Sequence, residues 1–132
     1  MVNRNLFAAI VMAVVPFSAL ADAVTDVIEQ QLDAFIARDI GTAWEQASPM
    51  IQRQMRDPRN FAAMVEMGYA PIWNNADARF SSRTTRDGQV KQVVVITDDT
   101  GATQAFEYDM IETGAGWKIN GVRPVEMPDA AV

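Results

Sequence analysis

The sequence predicts an α+β fold, in which N-terminal helices pack on a curved four-stranded antiparallel sheet. Two observations predict it. In the first half of the chain apolar residues recur at helical spacing, and in the second half they alternate along short runs separated by Gly-containing turns. Helices followed by strands favour α+β over an alternating α/β arrangement. The length of 132 residues is typical of a single domain.

Residues 1–21 have the pattern of a secretory signal peptide. Arg4 gives a positive start, an uncharged apolar run follows, and Pro16 breaks that run. Ala19 and Ala21 supply the small residues that the signal peptidase requires. We therefore expect cleavage after Ala21 and a periplasmic or secreted product. The apolar run is about half the ~20 residues of a spanning helix, so no stable membrane anchor is expected.

The rest of the chain is predicted to form one domain over residues 22–124, followed by a mobile acidic tail over residues 125–132. Its first helix is predicted from Val24 to Ile36, where the apolar residues form one stripe at a 3.6-residue period. The residues of this stripe are Val24, Val27, Ile28, Leu32, Phe35 and Ile36.

Three polar residues each predict the start of a further helix, because their side-chain oxygens can accept a hydrogen bond from a free backbone N–H of the first turn. These residues are Asp39, Ser48 and Asp57. The last of these helices is predicted to end at Gly68 in a left-handed conformation. Residues 69–73 are predicted to be extended or turning, because Ala70 precedes a proline.

Four strands are predicted in the second half, with turns at its Asp-Gly and Gly-rich sequences. They cover residues 78–85, 90–97, 103–112 and 117–122. The second strand contains Val93-Val94-Val95-Ile96, which is apolar on both faces. We therefore expect a central strand with both faces covered, and a second copy of the chain is one way to cover the outer face.

Two segments resemble a known superfamily. The first helix ending in Phe35-Ile36-Ala37-Arg38-Asp39 is similar to the opening of the cone-shaped fold shared by nuclear transport factor two, ketosteroid isomerases and polyketide cyclases. Gly116-Trp117-Lys118-Ile119-Asn120-Gly121 resembles its closing strand. Within that superfamily, nearly the whole domain resembles an uncharacterised bacterial exported family, the domain of unknown function 4864. The segments that carry this second resemblance are 31–35, 47–52, 61–65 and 69–71.

Composition excludes several kinds of chemistry. The chain has no Cys and no His, which removes thiol nucleophiles, Ser-His-Asp triads, ordinary zinc sites and haem ligation by His. We expect neither a metal nor a cofactor. The formal net charge of −6 argues against nucleic acid as a partner, since an acidic domain repels phosphate.

The resemblance implies a cavity at the wide end of the cone, and such pockets are mostly apolar with a few polar groups. The residues predicted to line it are Trp44, Tyr69, Trp73 and Arg79. Core packing is the alternative interpretation of the three aromatic residues. Arg79 is predicted to share a strand face with Arg83 and Arg86, either as a clamp for an anion or as solvated charges that protect a sheet edge.

The predicted function is that of an exported binding or interaction module, whose partner is a small apolar ligand or a protein. The alternative is an isomerase- or cyclase-like enzyme that uses Asp109 or Tyr108 in the cavity, and binding is favoured over catalysis. A catalytic base of this kind needs a pKa raised by apolar surroundings. Strand alternation places Asp109 opposite Phe106 and Tyr108, which predicts a solvated carboxylate.

Overall fold

The structure is a computed structural model that describes residues 17–128, with side chains from Ala23 onward. Within this range, helices precede an antiparallel sheet, which confirms the predicted α+β fold. The elements are α1 (Phe17–Ala37), α2 (Ile40–Glu45), α3 (Pro49–Met55), α4 (Pro58–Gly68), α5 (Ala70–Trp73), β1 (Asn75–Arg86), β2 (Gln89–Asp98), β3 (Thr103–Thr113) and β4 (Gly116–Val125).

The three predicted helix starts are confirmed at Asp39, Ser48 and Asp57. Each side chain accepts a hydrogen bond from the backbone N–H three residues further on, at 2.9 to 3.2 Å. A proline follows Ser48 and Asp57 at the first helical position, where a missing donor costs nothing. Local sequence therefore determines where α2, α3 and α4 begin.

The first helix is longer than its apolar stripe predicts. α1 begins at Phe17 and so includes the predicted cleavage residues Ala19 and Ala21. The rest of the predicted signal peptide, residues 1–16, lies outside the described residues. At the other end of the stripe the prediction for Ile36 is wrong, since its side chain is 49% exposed.

The predictions for the end of α4 and the segment after it are confirmed in part. α4 ends at Gly68 as predicted, but this glycine does not have a positive φ. Of the two predicted conformations, extended or turning, Ala70–Trp73 has the second: it is a single helical turn, α5. The carbonyl of Tyr69 accepts hydrogen bonds from the N–H groups of Ile72 and Trp73, at 2.9 and 3.0 Å. Pro71 fits because the first turn of a helix does not need its donor.

The four strands form a meander in the order β1-β2-β3-β4, and every neighbouring pair is antiparallel. Asp87 and Gly88 join β1 to β2 with φ values of 53° and 78°, as a two-residue hairpin turn requires. Shifts of register follow Phe80 in β1 and Asp109 in β3. Such bulges increase the local bend, so they contribute to the curvature of the sheet.

One face of the sheet carries the core. Its largest buried side chains include Phe106, Tyr108 and Met110 of β3, which are at most 2% exposed. They belong to one apolar cluster with Ile28 and Phe35 of α1. The inner face of the sheet is therefore covered by helices of the same chain.

A short segment between α2 and α3 holds the helices against the edge strand β4. The N–H of Ser48 donates to the carbonyl of Ile119, and the N–H of Ile119 donates to the carbonyl of Gln46, both at 2.8 Å. The Ser48 hydroxyl also donates to Oδ1 of Asn120 at 2.7 Å. These bonds cover part of the β4 edge and fix α3 beside it.

The outer face of the sheet is partly apolar, as the sequence of β2 predicts. Val95 and Ala105 are paired on this face and are only 4% and 0% exposed in a single chain. Their burial therefore requires no second copy. Two ion pairs lie on the same face: Lys91 with Asp109 at 3.0 Å, and Arg123 with Glu107 at 2.6 Å.

Candidate functional site

The candidate site is an apolar cavity of about 240 Å³ between the helices and β4. α1 contributes Phe35, α4 contributes Phe61 and Val65, and β4 contributes Ile119 and Val122. None of the described residues that line the cavity is charged. Gln54, an exposed residue of α3, borders it, which shows that the cavity reaches the surface.

Two further polar residues border the cavity. The hydroxyl of Tyr69, the C-cap of α4, donates to the carbonyl of Val122 at 3.1 Å, which joins α4 to β4. Gln31 of α1 is only 4% exposed, and its Nε2 donates to the carbonyl of Ala43 at 3.0 Å. The walls are thus mainly apolar, and two of their few polar side chains, Gln31 and Tyr69, are held in place by hydrogen bonds, as is usual for small-molecule sites.

The predicted pocket-lining aromatic residues separate into two groups. Tyr69 lies in the cavity wall. Trp73 lies outside it, where its ring is 4.1 Å from the guanidinium carbon of Arg38 and its carbonyl accepts a hydrogen bond from Arg38 Nη1 at 2.7 Å. Trp44 packs edge-on against Phe61, with ring centroids 5.7 Å apart, and borders a shallow surface groove instead.

The arginines of β1 do not share one face. Arg79 pairs with Val95 and is an exposed residue of the outer face, away from the cavity. The bulge after Phe80 places Arg83 opposite Gln92 of the inner face, and its Nε donates to Gln92 Oε1 at 2.6 Å. The prediction of a single row of arginines is therefore wrong, because one extra residue reverses the alternation.

The two catalytic candidates lie on opposite faces of β3, as their alternation predicts. Asp109 is on the outer face, where its ion pair with Lys91 leaves 39% of its side chain exposed. Tyr108 is fully buried on the inner face, and burial raises the pKa of its hydroxyl well above the ordinary value of 10.0. Neither residue lines the cavity, so the structure does not place these groups where a bound molecule would meet them.

Gln31 is the site residue that the sequence analysis missed. It lies three residues after Ile28 and seven after Val24, which places it on the apolar stripe of α1. A polar residue at a core position was the available signal, because a buried amide needs hydrogen-bond partners. The apolar residues that α3 and α4 contribute to the cavity wall give no comparable signal in the sequence, since their pattern is the same as that of residues in a packed core.

In the described part of the chain, no group of three or more Asp or Glu residues is arranged to hold a metal ion. Among residues 17–128, no helix is both long and apolar enough to cross a membrane.

The fold and the cavity define a class of protein: a small α+β domain with an apolar cavity, open to the surface, between its helices and its sheet. The chain belongs to the family described as "Domain of unknown function (DUF4864)", whose profile matches residues 18–132. No curated protein matches the sequence. A SEC-C motif containing protein from Rhodopseudomonas palustris, solved in solution, is similar in structure with a TM-score of 0.49 and 12% identity. The match covers 83% of this chain and 91% of that protein.

Proposed function

We propose that this protein is an exported binding module that takes a small apolar molecule into the cavity between its helices and β4. The observation that carries the proposal is the uncharged wall of that cavity, which has a volume of about 240 Å³. Sites for small molecules combine apolar walls with a few fixed polar groups, and this wall has both.

The size of the cavity supports a role in binding. Protein interiors are close-packed, and unfilled space in a core costs about 24 cal/mol per Å³. A cavity that reaches the surface costs less per Å³ than an enclosed one, but its apolar walls still lose packing contacts. Larger side chains at Val65 or Ala47 would remove much of this cost. The small residues at these positions are what a site that must receive a molecule requires.

A pair of matched substitutions tests this proposal. Val65→Phe places a larger side chain in the cavity wall, whereas Val93→Phe makes the same change on the outer face of the sheet. We expect propylbenzene and 4-propylphenol to raise the melting temperature of the wild type and of Val93→Phe, but not of Val65→Phe. The proposal fails if neither compound stabilises the wild type, or if both variants respond equally.

Export and membership of the cone-shaped superfamily are further parts of the proposal. The signal-peptide pattern of residues 1–21 supports export, and the resemblance of Gly116–Gly121 to a closing strand supports the superfamily. N-terminal sequencing of the protein from fractionated cells tests the first. We expect a periplasmic or secreted product that begins at Asp22, and an intact N-terminus in the cytoplasmic fraction would contradict export.

A further inference from the structure

The buried amide of Gln31 has a fixed orientation. Its Nε2 donates to the carbonyl of Ala43 at 3.0 Å. If the amide were rotated by 180°, Oε1 of Gln31 would face the carbonyl oxygen of Ala43, and two acceptors would meet. Oε1 therefore points away from Ala43. Among the described residues, none donates a hydrogen bond to that Oε1. Gln31 borders the cavity and is 4% exposed as a residue, but its Oε1 is not a fully buried atom, so this acceptor has no protein donor and still contacts water.

An amide oxygen in this position favours one chemical class of ligand. A ligand that fills the cavity displaces water from this acceptor, and that costs free energy unless a hydroxyl or amide N–H of the ligand takes the place of the water. A charged ligand would lose its hydration without meeting an opposite charge, because none of the described lining residues is charged. The Tyr69 hydroxyl, which also borders the cavity, donates its proton to the carbonyl of Val122.

The volume restricts the size of the ligand. An apolar cavity of about 150 Å³ holds a benzene molecule, and drug-sized ligands occupy about 300 Å³ or more. The present cavity of about 240 Å³ lies between these values. A molecule with on the order of ten non-hydrogen atoms, such as a substituted single ring or a short branched chain, fits this volume.

We propose that the cavity selects an uncharged, mainly apolar molecule that carries one hydrogen-bond donor, and that this donor binds Oε1 of Gln31. This inference rests on the proposed binding function, because it names the class of ligand for the same cavity. Gln31 then has two roles: its Nε2 fixes α1 to the end of α2, and its Oε1 recognises the ligand.

Four compounds of matched shape test the class of ligand at pH 7 by calorimetric titration. 4-Propylphenol has a donor, 4-propylanisole has an acceptor only, propylbenzene has neither, and 4-propylbenzoate is charged. We expect 4-propylphenol to bind about tenfold more tightly than 4-propylanisole and propylbenzene, as one hydrogen bond to this acceptor provides. 4-Propylbenzoate is expected to bind most weakly.

Substitutions test the residue. Gln31→Met removes the acceptor, so we expect the preference for 4-propylphenol over 4-propylanisole to disappear. Gln46→Met is the matched control, since this buried glutamine donates to the carbonyl of Thr42 and does not line the cavity. It should keep the preference. Tyr69→Phe should also keep the preference for 4-propylphenol. If Gln31→Met does not fold, Tyr69→Phe still tests whether Gln31 or Tyr69 accepts the hydrogen bond from the ligand.

The outcomes separate this inference from the proposed function. Equal affinity for all four compounds would overturn the inference about ligand class and leave the binding function in place. A preference that disappears in Tyr69→Phe would overturn the assignment to Gln31. If none of the four compounds binds, both the inference and the proposed function are wrong.

Discussion

Replacing Tyr108 by Phe is expected to stabilise the protein, although the change removes a polar group from the centre of its core. The side chain of Tyr108 is 0% exposed. Its hydroxyl has no hydrogen-bond partner among the described residues. On folding, this hydroxyl therefore loses its hydrogen bonds to water and forms none to the described residues in their place. Phenylalanine keeps the ring and its packing and removes only that hydroxyl.

The magnitude follows from the cost of an unpaired polar group. Leaving a buried hydroxyl without a partner costs about 1–3 kcal/mol, and the small space left by removing one oxygen offsets part of the gain. We expect Tyr108→Phe to raise the free energy of unfolding by about 1 kcal/mol. For a domain of this size that corresponds to a rise in melting temperature of roughly 4 °C.

The pH dependence gives a second readout. Burial raises the pKa of Tyr108 above its ordinary value of 10.0, so the folded state holds this proton at pH values where the unfolded state releases it. The contribution to stability is therefore complete below pH 10 and is lost progressively as the pH rises above it. Tyr108→Phe should remove this part of the alkaline destabilisation, so the stabilising effect of the substitution should grow above pH 10.

Urea unfolding of the wild type, Tyr108→Phe and Tyr69→Phe measures the effect. Tyr69→Phe is the matched control because its hydroxyl donates to the carbonyl of Val122 at 3.1 Å. We expect this control to lose about 1 kcal/mol, the opposite sign from Tyr108→Phe. A loss of stability in both variants would refute the reasoning, since it would show that the Tyr108 hydroxyl has a partner.

Three further substitutions have expected outcomes. Asp98→Asn should weaken the turn after β2: hydrogen bonds from the Thr100 hydroxyl and N–H, and then from the N–H of Ala102, hold the pKa of Asp98 below its ordinary value of 3.8. The free energy of unfolding of the wild type should therefore fall as the pH drops below 3.8, and that of Asp98→Asn should fall less. Urea unfolding measured at a series of acidic pH values checks this. Gly116→Ala should cost about 1 kcal/mol or more in thermal unfolding, because Gly116 has a φ of 102° although no atom crowds its added Cβ. Trp117→Ala should lower the free energy of unfolding by about 2–3 kcal/mol. This is less than for a fully buried tryptophan, because Trp117 is half-buried and its buried Nε1 has no partner among the described residues. An unchanged melting temperature would contradict the packing of Trp117 against the core.

Much of the fold was predictable because its signals are local. The caps at Asp39, Ser48 and Asp57 act within one turn, and the alternation of β3 assigns Phe106 and Tyr108 to the core face without knowledge of any neighbour. Some of the features that were not predicted depend on partners distant in sequence or on one inserted residue. The bulge before Arg83 is of this kind, because its effect appears only once β1 is paired with β2.

The candidate site was less predictable than the fold, for a physical reason. A cavity is formed by side chains from several elements that meet in space, and its apolar wall has the same composition as a packed core. Tyr69 was predicted to line the cavity and does so, whereas Trp73, four residues further on and also predicted to line it, packs against Arg38 instead. Gln31 is the exception, since a polar residue on an apolar stripe marks a special position from sequence alone.

The most direct measurement is a methyl NMR titration of the protein with 4-propylphenol. Methyl groups of Ile51, Val65, Ile72 and Val122 report on the cavity, whereas those of Val93 report on the outer face of the sheet. We expect saturable shifts at the cavity methyls and none at Val93. Shifts that centre on the outer face, or no saturable shift at any of these methyls, would contradict the existence of a ligand site between the helices and β4.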